Sequence, residues 1–145
     1  MTLHVFNPEH DIALAYDNKY FTAPHAGRQL RHDLDYLPAL WAEEGDCVLV
    51  ENVNSAQQHA LRFQRYSKHV HFVNKEDVGH LSEQIDNVLP WGWDASVKFQ
   101  LGQMGVRDSI LLNDEQLTDI RKLSNRQFSS VVLKALQASL SNTTL

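Results

Sequence analysis

Glycine-rich phosphate loops, cysteine pairs and long apolar runs are all missing from this 145-residue sequence. The single cysteine, Cys47, excludes an internal disulfide framework and a cysteine-based zinc site. No apolar stretch approaches the roughly 20 residues that cross a bilayer, and no charged-then-apolar leader precedes the first apolar segment, so no membrane partner and a cytoplasmic location are expected. A basic excess is missing too. Residues 1–50 carry eight acidic side chains against three basic ones (Lys19, Arg28 and Arg31), and the charges of residues 51–145 balance. Gripping nucleic acid through its phosphates needs a basic face, so the composition speaks against nucleic acid as the main ligand. There is no G-x-G-x-x-G, no P-loop and no G-x-S-x-G.

What is present suits one globular domain. Apolar residues make up 43%, with three Trp and six Phe, and the length allows a real core but not two comfortable domains. Three short segments bounded by polar residues read as buried parallel strands: "LHVF" (Leu3–Phe6), "CVLV" (Cys47–Val50) and "HVHFV" (His69–Val73). Helical patterns lie between them. Pro24 suits the first position of a helix through "HAGRQLRHDLDYL", with Leu30, Leu34 and Leu37 at i, i+4 and i+7. Ser55 and Gln58 have capping-box spacing before "HALRFQRY". Strands alternating with helices predict a parallel sheet made of βαβ units over residues 1–75.

Residues 76–145 read as mainly helical. "VGHLSEQIDNV" places Val78, Leu81, Ile85 and Val88 on one helical face. "DASVKFQLGQM" starts at an N-cap, Asp94, and stops at Gly105. "NDEQLTDIRKL" has Asn113 and Gln116 as a capping box with Leu117, Ile120 and Leu123 inward, and "SNRQFSSVVLKAL" offers Ser124 and Gln127 as another. The last helix runs into "SLSNTTL" without a returning strand. A sheet this thin has exposed edges, which predicts self-association or a place in a longer protein.

The chemistry-bearing stretch follows the first strand. In "FNPEHDIALA", Asn7 can cap a short helix with Pro8 at its first position, which places Glu9 and Asp11 in the first turn beside His10. Acidic groups complement the dipole of a helix start, and that alone can explain them. In open α/β sheets, however, the carboxyl ends of the strands face the ligand crevice. Carboxylates there repel a phosphate and attract an amine, a metal ion or an arginine. In "TAPHAGRQLRHD", His25 and Arg28 share a helix face near an N-terminus, where an arginine needs an anion: Glu9, Asp11 or a ligand carboxylate. The preceding loop, "YDNKYFTA", can form a lip over such a site. "ENVN" (Glu51–Asn54) lies at the same sheet edge and reads as a strand-to-helix loop. "PWGWDAS" sets Trp91 and Trp93 around a glycine before Asp94, as packing anchors or a stacking wall. His69 and His71 share a strand face without a further ligand nearby, and Cys47 reads as core.

Taken together, "HVFNPEHDIALA", "APHAGRQLRHDL", "LPALWAEEGDCVLV", "LPWGWD" and "NDEQLTDIRKLSNR" resemble a family of uncharacterised bacterial proteins in which a domain of this kind stands ahead of an ATP-grasp module. The resemblance covers nearly the whole chain. It implies a single pre-ATP-grasp domain over residues 1–145: a small Rossmann-like, three-layer α/β unit with a short parallel sheet of about three to four strands and a helical C-terminal part. ATP-grasp enzymes join a carboxylate, activated by ATP and magnesium, to an amine or other nucleophile, and their pre-ATP-grasp domain contributes to the substrate side. ATP and magnesium are implied for the later module, with no cofactor in this chain, so the chain alone is expected to be inactive as a ligase. The expected pocket residues are Asn7, Glu9, His10, Asp11, His25 and Arg28, with Trp91, Trp93 and Asp94 at the junction with the other module. Arg28 would hold a carboxylate, while Glu9 and Asp11 would take an amine or position Arg28. Two rival readings stand beside this one. One is a metal-dependent hydrolase using Glu9, His10, Asp11 and His25; the other is an interaction domain in which the charges only cap helices.

Overall fold

The structure, a computed structural model, describes residues 1–141; the end of "SLSNTTL", residues 142–145, lies outside the described residues. The chain divides into two compact units, Met1–Leu112 and Asn113–Leu145.

The first unit is built on four short strands: β1 (Thr2–Val5), β2 (Cys47–Leu49), β3 (His71–Val73) and β4 (Asn87–Pro90). They form one parallel sheet in the order β3-β2-β1-β4. Register places Leu3 beside Cys47 and Val88, and Val5 beside Leu49 and Pro90. Alternation along the strands sends side chains to two faces, each of which is covered. Leu3, Val5, Cys47, Leu49 and Val88 meet Val78 of helix α4 (Lys75–Leu81) and Val97 and Leu101 of α5 (Ala95–Gln103). On the opposite face Val48 and Val50 meet Ala39, from a 3-10 turn at Leu37–Leu40, and Ala56 of α3 (Val53–Ala60). This is the expected α/β unit, with helices on both faces of a short parallel sheet.

Helices α1 (His10–Tyr16) and α2 (His25–Leu34) precede β2. Several local expectations differ from the observed structure. Helix α2 stops at Leu34 and buries none of its residues; Leu37 begins a separate 3-10 turn with Pro38 next to it. The cap of α3 is Asn52, whose side chain accepts the N–H of Ser55 at 2.9 Å; the capping spacing is therefore Asn52–Ser55 rather than Ser55–Gln58. The helix expected over Val78–Val88 ends at Leu81, and Val88 lies on β4. Ile85 and Val88 are buried at helical spacing by coincidence, because the core receives one from a loop and the other from a strand.

Beneath the sheet, at the amino end of β2, Asp46 accepts the N–H groups of Thr2 (2.8 Å) and Glu43 (3.1 Å) and contacts His4 Nε2 at 2.9 Å. Burial disfavours its charge, but the bonds from His4, Thr2 and Glu43 outweigh burial and hold the carboxyl below its usual value.

The second unit is described by itself. Helix α6 (Asp114–Ser124) starts in a capping box in which the Asn113 side chain accepts the N–H of Gln116 and the Gln116 side chain accepts that of Asn113, both at 2.8 Å. Asn125 separates it from α7 (Arg126–Ser141) and accepts the N–H of Gln127 at 2.9 Å, the capping position expected of Ser124. No described helix is long and apolar enough to cross a membrane.

Candidate functional site

The carboxyl ends of all four strands open into one cleft of about 590 Å³. Asn7 follows β1, Glu51 follows β2, Asn74 follows β3 and Asp94 follows β4, and each lines it. The cleft spans the point where the strand order reverses, since β2 and β4 flank β1 on opposite sides; ligand crevices in open α/β sheets lie at such points. Helices α2 and α5 and the loop ahead of α2 make the walls, through Arg28, Arg31, Asp35, Ser96, Gln100 and Phe21.

The β4 side is closed by hydrogen bonds. Asn7 donates its side-chain amide to Gly92 O at 2.7 Å and to Asp94 Oδ2 at 3.2 Å, and its Oδ1 accepts the N–H of Gly92 at 3.2 Å. Asp94, 2% exposed, caps α5 by accepting the N–H groups of Ser96 (2.8 Å) and Val97 (2.9 Å) on Oδ1. The His10 ring lies against Gly92 so closely that a Cβ on this glycine would overlap it, and its Nδ1 stands 3.6 Å from Asp94 Oδ2. Asn7 is thus a tie between two strand ends rather than the cap of α1. That helix starts two residues later than expected, with Glu9 at the cap position and only Asp11 in the first turn.

The α2 side is different. Glu9 has a side chain only 10% exposed, and its Oε1 accepts Arg31 Nη1 at 2.9 Å. Its Oε2 is buried with no hydrogen-bond partner among the described residues. Arg28 donates to Ala23 O, and no carboxylate pairs with it among the described residues. The partner of Glu9 is therefore Arg31, one helical turn beyond Arg28. Asp35 is buried and accepts the N–H of Glu51 at 2.7 Å. Burial raises its carboxyl above the usual range; the Glu51 N–H lowers it in part, and the Glu51 charge raises it again. At the rim His32 Nδ1 meets Glu51 at 2.7 Å, and that bond raises the imidazole above its usual value.

No family model matches the chain, and neither a curated protein nor a solved structure is similar to it.

Of the residues singled out in the sequence, Asn7, Glu9, Arg28 and Asp94 line the cleft. His10 sits behind them against Gly92. Asp11 and His25 are exposed and outside the lining. Trp91 is 60% exposed, its ring edge-on to Phe6 at 5.6 Å, and Trp93 packs half-buried on the core. The loop expected as a lip contributes Phe21, Thr22 and Ala23, tied to α5 by the bond from Ser96 Oγ to Phe21 O. Among the described residues no three His, Cys, Asp or Glu side chains gather as metal ligands. Sequence reasoning missed Arg31 and Asp35. The spacing of Arg31 from Arg28 was a signal for the first, but nothing local marks Asp35, whose partner is a backbone N–H sixteen residues away.

The cleft lining carries five carboxylates (Glu9, Asp35, Glu51, Glu76 and Asp94) against Arg28, Arg31 and Lys75, and no glycine loop bares its N–H groups. The start of α5 is capped by Asp94, whose Oδ1 takes the first N–H groups of that helix.

Proposed function

We propose that this chain is the substrate-side domain of an ATP-dependent carboxylate–amine ligase of the ATP-grasp kind. The observation that carries the reading is the cleft itself: a switch-point crevice whose charged lining suits a small polar substrate and repels a triphosphate. In this reading ATP and magnesium belong to an ATP-grasp module that works with this domain, within one chain or through association. This domain holds the substrate bearing a carboxylate or amine against that module, and by itself it carries no ligase activity. Arg28, Glu9 and Arg31 bind and orient; the chain's own residues are not asked to activate phosphate.

Calorimetry with ATP and magnesium tests the assignment directly. The purified chain is expected to show no affinity in the micromolar range. A micromolar affinity for ATP, weakened by substitutions in the cleft, would overturn it.

A further inference from the structure

Two residues of the cleft lining lack a full complement of partners among the described residues: Glu9, whose Oε2 is buried without one, and Arg28, which is exposed and has no carboxylate beside it. We propose that the cleft binds a zwitterion, a single molecule with a free primary ammonium group and a carboxylate, the ammonium donating to Glu9 Oε2 and the carboxylate accepting from Arg28. The proposal rests on the reading of the cleft as a substrate pocket and names the chemistry of what enters it.

The ammonium end follows from Glu9. Buried polar atoms without partners are rare in folded proteins, and an ionised oxygen makes the strongest demand for one. Arg31 holds the carboxylate in place through Oε1, and Oε2 has no hydrogen-bond partner among the described residues. Arg28 is committed in part to Ala23 O and does not reach it. The missing group is therefore an N–H donor brought from outside, and a compact cation suits it best. A divalent metal would need further ligands, and none converge among the described residues.

The carboxylate end follows from Arg28. It stands in the first turn of α2, where backbone N–H groups favour negative charge and where a guanidinium has no electrostatic reason to be unless it meets an anion. Its planar fork matches a carboxylate. Phosphate is the less suitable anion, because the surrounding lining has more carboxylates than cations. The cleft volume of about 590 Å³ is ample for a zwitterion the size of an amino acid or a short peptide.

The test is an NMR titration of the full chain with glycine, its homologues up to 6-aminohexanoate, and di- and triglycine. Each is compared with its N-acetyl and methyl-ester forms. At least one free zwitterion is expected to shift the amides of Glu9 and Arg28 and to bind about tenfold or more tighter than either blocked form. Glu9→Gln should erase the preference over the N-acetyl form, and Arg28→Ala the preference over the ester. Blocked forms that bind equally well, or a set in which no free zwitterion binds, would overturn the proposal on the wild-type chain alone, whatever the variants do. ATP is added last. If ATP displaces the ligand from the cleft, the assignment as a substrate-side domain fails; if ATP is silent while selectivity is absent, only the zwitterion is lost.

Discussion

On the β4 side of the cleft, Asp94 gives both carboxylate oxygens to hydrogen bonds within the fold, whereas on the α2 side Glu9 gives only one among the described residues. Asn7 and Arg28 repeat the contrast. Asn7 uses its amide nitrogen and oxygen to join two strand ends, while Arg28 spends part of its guanidinium on one carbonyl. Polar groups that a protein saturates internally serve its architecture; those it leaves open at a crevice are available to something else. Residue type alone does not separate the two, since each side pairs a carboxylate with an N–H donor.

Four experiments test this contrast. The largest effect is expected for Asp94→Ala. It removes the cap of α5 and leaves one N–H of the buried Asn7 amide without its acceptor, so unfolding free energy in urea should fall by about 3 kcal/mol. A loss under about 1 kcal/mol would mean that the closed side is not structural. Gly92→Ala should cost about 2 kcal/mol, because its methyl group invades the space of the His10 ring. Adding His10→Ala should recover most of that loss, and strict additivity in the double-mutant cycle would rule out the contact.

The third experiment concerns Asp35 and pH. Burial, only partly offset by the Glu51 N–H, raises its carboxyl in the folded state, so the native protein binds this proton at a higher pH than the unfolded chain does. The stability it contributes is therefore smallest at neutral pH. That contribution grows as pH falls through the raised value towards the ordinary carboxylate value near about 3.9. Asp35→Asn keeps an acceptor for the Glu51 N–H. The variant should match or exceed wild type at pH 7 and lose that standing by pH 4; a difference indifferent to pH would refute the account. Asp46 runs the other way: its lowered carboxyl stabilises at neutral pH and ceases to do so as pH falls through its folded value. The smallest effect is expected for Arg28→Ala, within about 0.5 kcal/mol of wild-type stability, because the side chain is exposed and lacks a carboxylate partner among the described residues. A large loss would place Arg28 with the structural side.

How much of this was legible depends on where the partner of each residue lies. β1, β2 and β3 announced themselves because Val and Leu dominate short runs bounded by polar residues. β4 did not: of its four residues only Val88 is buried, Leu89 is half exposed, and Pro90 at its end argues against a strand. It is a strand because β1 needs a second neighbour, which is a tertiary fact. Asp94 and Gly105 were legible because a cap and a C-terminal glycine act within a few residues of themselves; Gly105 has the positive φ of 90° that such an ending uses. Asn7 and Glu9 could be placed near a crevice from the end of β1, and Arg28 from its need for an anion near a helix start, whereas Asp94 was legible only as a cap. Which carboxylate meets which arginine could not, because Glu9 and Arg31 are separated by a loop whose path no local pattern gives.

The strand order has a consequence for how the fold is assembled. β1 is central in the sheet, yet its two neighbours are separated from it by about 45 and 85 residues, as the pairs Leu3–Cys47 and Thr2–Asn87 show. Contacts this distant in sequence close late, after the loops between them have been ordered. Until Asn87–Pro90 docks, β1 is a bare edge with a row of free N–H and C=O groups, the kind of surface that recruits strands from other molecules. A nascent or truncated chain that stops short of residue 87 is thus an aggregation hazard. The Asn7–Gly92 tie forms only once that strand has arrived, so the cleft is incomplete without it.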